Sequence, residues 1–251
     1  MGYRKMKEEN KELIIRLVLG IILGVLAFNF QFTRFIFSYL TILIHELGHS
    51  IFGWIYGYPS IPAFDFTYGG GVAMYMQRKI EIIYLTYAVL IYGIYYLRKN
   101  IIPLICNIGF LILFIFTSRN EGADIMRVYM GHGTEIAFAA IFLYRGLTGS
   151  QSVNNIESCL YIACAFFIFN QNIDFAYSLR NDAAFLANYM QGKGDLTHDF
   201  HVLCLEHFQA KKIKDIAFFH YFATGFSILI AAGFAALRAY LLEKEFDEEE
   251  E

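Results

Sequence analysis

Apolar runs of roughly twenty residues recur along this chain, and they constrain every fold open to it. A helix needs about 20 mostly apolar residues to cross a hydrocarbon core. Of the 251 residues, 57% are hydrophobic and 17% are charged. A soluble domain carries about 25% charged residues, so much of this apolar surface must face something other than water. A lipid bilayer is the expected surrounding. Three prolines and 18% aromatics exclude a disordered or proline-rich chain. A net charge of −3 leaves no basic surplus for nucleic acid, which is not expected as a partner. The four cysteines form no CxxC pair, so neither a disulfide framework nor a thiolate metal site is expected.

Seven stretches are candidate spans: 13–30, 33–56, 80–97, 101–117, 123–147, 156–179 and 218–242. The first follows a basic segment with Arg4, Lys5, Lys7 and Lys11. No small-residue cleavage site comes after it, so an uncleaved span is expected rather than a signal peptide. Only Arg98, Lys99 and Asn100 separate the third span from the fourth, which demands an antiparallel pair. Asp124, Arg127, His132 and Glu135 interrupt the fifth. Gly225, Gly233 and several alanines in the seventh suit close helix packing.

Residues 58–79 have a different pattern. The alternation in AFDFTY, the glycine triplet and then VAMYM predict a β-hairpin. The segment 180–215 is polar, with a helical stripe of Phe200, Leu203, Cys204 and Phe208, and reads as a surface or interfacial helix. Residues 243–251 form an acidic, solvated tail. The expected fold is an all-α polytopic membrane protein, a single multi-pass domain over residues 1–251. It has about seven transmembrane helices and a small β-hairpin after the second. If crossings alternate and the N-terminus is cytoplasmic, Lys and Arg concentrate on the cytoplasmic side, with the C-terminus opposite.

The second span contains His45-Glu46-Leu47-Gly48-His49, an HExxH sequence. On a helix the two histidines are one turn apart on one face, so both imidazoles can reach one metal ion. Glu46 beside them can take a proton from an attacking water. Zinc suits this donor set, because it accepts imidazole nitrogen and keeps an open position in catalytic sites. Ionisable groups inside a span are costly, and by default they are functional. The structural alternative is a buried His–Glu hydrogen-bond network between helices.

HELGH in an apolar helix, followed by a glycine-containing hairpin and further spans, resembles the site-2-protease class of intramembrane zinc metalloproteases (peptidase family M50). The segment from Asp174 to Asp182 and on through Ala183-Ala184-Phe185-Leu186-Ala187 is similar to a segment of the short, PDZ-free branch of that family. The two matches cover roughly residues 33–190. The usual N-x-x-P…D-G segment is absent in that form, and so is the G-P-x-x-N of the following core helix. The resemblance implies a zinc endopeptidase that cuts a membrane-associated protein substrate. Glu46 would be catalytic and His45, His49 and a third residue would hold Zn2+. It also implies that the hairpin edge presents extended substrate by backbone pairing.

Catalytic zinc usually has three protein ligands. The resemblance favours an Asp on a late core helix, hence Asp174 and then Asp182. Glu135 and His132, three apart on the fifth span and so on one face, are a further option, with Asp124 behind them. His198, His201, His207 and His220 read as ordinary exposed histidines. Three other functions compete with the endopeptidase. One is a membrane transporter or metal-ion carrier with intramembrane His and acidic residues. Another is a catalytically silent M50-like protein. A third is an HExxH protease processing the termini of lipidated proteins.

Overall fold

The computed structural model describes residues 2–65, 70–119, 121–150, 152–192, 197–209 and 211–250. Helices dominate: α1 (Gly2–Asn29), α2 (Gln31–Ile55), α3 (Ile80–Leu97), α4 (Ile101–Thr117), α5 (Glu121–Thr148), α6 (Asn155–Asn181), α7 (Ala183–Gln191), α8 (Asp199–Val202) and α9 (Ile213–Glu250). A π-helical turn, Leu203–His207, continues α8. Strands β1 (Ser60–Asp65) and β2 (Gly70–Tyr75) pair antiparallel, with Ser60 opposite Tyr75 and Asp65 opposite Gly70. The expected glycine-rich turn falls on residues 66–69, outside the described residues; Gly70 and Gly71 are already in β2.

Among the described residues five helical stretches are long and apolar enough to cross a membrane: Lys11–Asn29, Gln31–Ile55, Ile80–Leu97, Asn155–Asn181 and Ile213–Leu242. Helix α4 is a shorter apolar helix. Helix α5 is long but is not among the five, since Glu121, Asp124, Arg127, Glu135 and Arg145 all lie on it. The polar segment after α6 is not one surface helix. It folds as α7, α8 and the π-helical turn, with Phe200 and Leu203 fully buried.

The chain forms two compact units. One holds residues 1–40, 135–177 and 218–251, and the other holds residues 41–134 and 178–217. In the first, α1 packs on α6 in register. Asn155 Nδ2 donates to Glu12 at 3.0 Å. A Cβ on Gly20 would sit 2.6 Å from Ile162, and one on Gly24 would sit 2.5 Å from the Ala163 carbonyl. Phe28 then meets Phe167 edge-on at 6.2 Å. Contacts advance together along both chains, so α1 and α6 run parallel. Gly20 and Gly24 form the small-xxx-small seam that lets two apolar helices approach closely. The end of α5 runs the other way along α6, with Phe142 against Tyr161 and Gly146 against Ile162 and Ser158. Helix α9 packs through Ala217, His220, Thr224 and Ala231, all buried, whereas Gly225 and Gly233 have nothing within 4 Å of their Cβ positions and lie off that face.

These directions correct one expectation. Seven alternating crossings would send the first and fifth spans the same way and the sixth against them. Here α6 follows α1, and α5 opposes both. The inside–outside assignment built on alternation therefore does not carry over.

In the second unit, α3 and α4 form the expected antiparallel pair, with Asn107 Nδ2 donating to the Leu90 carbonyl at 2.9 Å. The end of α2 and the residue after it pack on α4, Phe52 against Phe110 at 5.9 Å and Tyr56 against Phe114 at 5.3 Å, and Tyr87 of α3 meets the same Phe114 at 4.7 Å. Tyr56 and Phe114 are completely buried. The hairpin is tied back to α2. Ser60 Oγ donates to the Ser50 carbonyl at 2.9 Å, and Trp54 Nε1 donates to the Ser60 carbonyl at 2.9 Å.

The α1–α6 seam makes a direct prediction. Gly24→Val should destabilise the protein by about 1–3 kcal/mol, the usual cost of forcing bulk into a closed contact. Gly225→Val should leave stability nearly unchanged. Unfolding midpoints of both variants in detergent decide the point.

Candidate metal centre

Helix α2 puts the HExxH sequence in the second unit, with Glu46 and His49 buried. His45 and His49 turn their Nε2 atoms to within 3.0 Å of each other. The Nδ1 of His49 lies 2.8 Å from the backbone carbonyl of Arg127 on α5. A carbonyl only accepts, so that nitrogen carries the hydrogen and donates it. This fixes the tautomer and leaves the Nε2 lone pair for a metal.

The close approach of α5 to α2 depends on two glycines. A Cβ on Gly48 would lie 2.7 Å from Thr134 Oγ1 and would run into the Met130 carbonyl. A Cβ on Gly131 would lie 2.7 Å from His45 Nε2 and would run into His49 Nε2. Any side chain at 131 would occupy the space into which both imidazoles point.

The acidic partner is Asp199, the first residue of α8. Its Oδ2 lies 3.0 Å from His45 Nε2 and 3.2 Å from His49 Nε2, and His132 Nε2 on α5 is 4.0 Å away. Burial pushes the Asp199 carboxyl pKa up. The neighbouring His49 and His45 outweigh that and hold it well below the usual carboxylate range. Protonated imidazoles supply the positive charge for this when no metal does, and a bound cation would supply it in their place, with Asp199 an anion in either case.

His45, His132 and Asp199 offer ligand atoms all within 4.8 Å of one another, a group that could hold a metal ion. The donors fit one. The three shortest separations among His45, His49 and Asp199 are 3.0, 3.0 and 3.2 Å. Ligands at zinc-like bond lengths of 2.0–2.1 Å on a tetrahedron stand about 3.3 Å apart. Lone pairs of neutral imidazoles brought this close repel each other unless a cation or a proton sits between them.

Glu46 is buried beside this cluster, under the hairpin. A Cβ on Gly71 of β2 would lie 2.6 Å from Glu46 Oε1, so only glycine lets the strand lie against the carboxylate. Arg127 also holds the hairpin. Its guanidinium lies 4.7 Å over the Tyr58 ring and 4.4 Å over the Tyr75 ring, and donates to Asp124 at 3.1 Å. Burial raises the Tyr75 phenol pKa, so it stays protonated in neutral water.

The other acidic candidates are used elsewhere. Asp174 does not join the group around His45; it pairs with Arg34 at 2.7 Å within the first unit, both side chains half exposed. Arg34 is supplied by the start of α2, 140 residues away in sequence. Asp182 caps α7, accepting from the backbone N–H of Ala184 and Phe185. Asp124 holds Arg127, and Glu135 is buried in the first unit. The sequence did carry a signal for Asp199: it stands at the head of the stripe Phe200, Leu203, which is the face of that segment turned to the core. His220 also departs from expectation. It is completely buried and bonded to Asn172 at 2.8 Å rather than exposed.

No family model, curated protein or solved structure matches this chain.

The arrangement separates the two aspartates experimentally. Asp199→Asn should lower the bound metal sharply, while Asp174→Asn should keep it. Elemental analysis of the purified proteins measures both, with circular dichroism to confirm that each is folded.

Proposed function

We propose that this chain is a zinc endopeptidase of the site-2-protease kind, acting on a membrane-associated protein substrate. The observation that carries this reading is the meeting of His45 Nε2, His49 Nε2 and Asp199 Oδ2 within 3.0–3.2 Å, with buried Glu46 between the two histidines in the chain. In this reading His45, His49 and Asp199 hold the metal, and the role expected of Asp174 passes to Asp199. The long apolar helices are the membrane-embedded part, and the bilayer is the protein's surrounding.

Zinc in such a site polarises the scissile carbonyl and lowers the pKa of a coordinated water. The protein's own groups do the rest. Glu46 accepts a proton from the attacking water at a carboxylate oxygen and passes it to the leaving amine nitrogen. The Arg127 carbonyl keeps His49 in the tautomer that leaves Nε2 free. The hairpin covers Glu46 and limits its exposure to bulk water. A substrate helix hides its carbonyls in its own hydrogen bonds, so it must unwind locally before attack.

The compactness of the cluster favours a peptidase over a carrier. A path for ions needs ionisable groups at successive depths along several helices. Here three imidazoles, an aspartate and a glutamate collect at one crossing.

Glu46→Gln tests the mechanism. Zinc content should stay at the wild-type level, while cleavage of a membrane-protein substrate should fall by about 10²–10⁴-fold, the usual contribution of a general base. Unchanged cleavage in that variant would sink the proposal.

A further inference from the structure

The three ligands just assigned leave His132 without a role, and its placement supplies one; the inference rests on the metal reading above. His132 follows Gly131, the residue that meets both HExxH imidazoles. Its ring stands edge-on to His45, centroids 4.5 Å apart and planes at 77°. The fully buried Phe200 lies on it at 4.8 Å. Phe200 is the residue after Asp199, so the short helix that delivers the carboxylate also backs this imidazole.

His132 Nε2 lies 4.0 Å from Asp199 Oδ2, against 3.0 and 3.2 Å for the other two histidines. A tetrahedral edge about zinc is about 3.3 Å, so a movement on the order of 0.7 Å brings this nitrogen to that distance from Asp199 Oδ2, and its ligand atom already lies within 4.8 Å of that of His45. We propose that His132 is a fourth protein ligand and that the resting centre is a closed three-histidine, one-aspartate site. Closed sites with four protein ligands are structural, whereas catalytic sites keep one position open. The site must therefore release a ligand before it can act. His132 is the one to leave, because it stands farthest from Asp199. Its neutral nitrogen exchanges for a neutral oxygen donor, the substrate carbonyl or a water, so no charge or electron is left over. Substrate entry and opening of the centre become one event.

Cobalt(II) reports this directly. The detergent-purified protein is stripped with a chelator and titrated with Co2+ alone. The wild type should give intense visible bands of four-coordinate cobalt that azide does not alter. His132→Ala should bind cobalt at least about tenfold more weakly, the least expected from a lost ligand. Azide should then change its spectrum, because a position has opened. His132→Cys should gain a near-ultraviolet thiolate-to-cobalt band that the wild type lacks. That band requires the side chain at 132 to touch the metal, and it also reports a folded variant.

A cobalt-loaded His132→Cys protein without the band would overturn the proposal. So would a wild-type response to azide equal to that of His132→Ala. If either variant fails to fold, the wild-type azide titration decides alone, silence supporting the closed site and a response refuting it. A wild type that takes up no cobalt refutes the metal reading and this inference together. Normal cobalt spectra with cleavage unaffected by Glu46→Gln would refute the peptidase reading and leave the closed site standing.

Discussion

Two imidazoles on α2 and groups from two other segments can meet at one point only because α5 comes into backbone contact with α2. Gly48 on one helix and Gly131 on the other make that contact. The distance matters more than the apolar area it buries. With Gly131 in place, the two Nε2 atoms have a shared space in front of them. With the helices this close, the Arg127 carbonyl reaches His49 Nδ1 at 2.8 Å. That acceptor belongs to the main chain, so helix geometry rather than a side-chain rotamer orients the histidine. In the proposed site such a fixed outer partner would orient the ligating ring.

Arg127 links this centre to its cover. Its backbone holds His49, while its guanidinium sits over Tyr58 and Tyr75 at the open end of the hairpin. Asp124, one turn earlier on α5, fixes the guanidinium. Strand β2 then lies on Glu46 through Gly71. Displacing the hairpin would expose Glu46 and release Arg127 together. Glu46 and His49 are thereby coupled through one residue on α5.

Some of this could be read from residue order. HExxH places its two histidines on one helical face whatever surrounds them. The hairpin followed from strand-like alternation, and the α3–α4 pair followed from a three-residue connection. The stripe of Phe200 and Leu203 marks a segment that packs inward, although the polarity around it is that of a surface or interfacial helix. Gly20-x-x-x-Gly24 and Gly146 mark the real helix seam in the first unit, and Gly225 and Gly233, equally conspicuous in the sequence, face open space. Local pattern distinguishes a glycine that can be approached closely from other residues, but not from a glycine that nothing approaches.

The sequence alone determined the apolar helices, the hairpin and the paired histidines with their glutamate, because each depends on spacing along a few turns of chain. Tertiary structure decided the rest of the centre. Asp199 lies 150 residues beyond His49, in a segment whose polarity resembles that of any exposed loop. Asp174, which the sequence resemblance favours, is engaged in an ion pair with Arg34. Which carboxylate meets the imidazoles depends on where a long chain is brought back, and that is fixed by packing between segments distant in sequence. The directions of α1, α5 and α6 were decided in the same way, by glycine seams that select a partner helix and its orientation together.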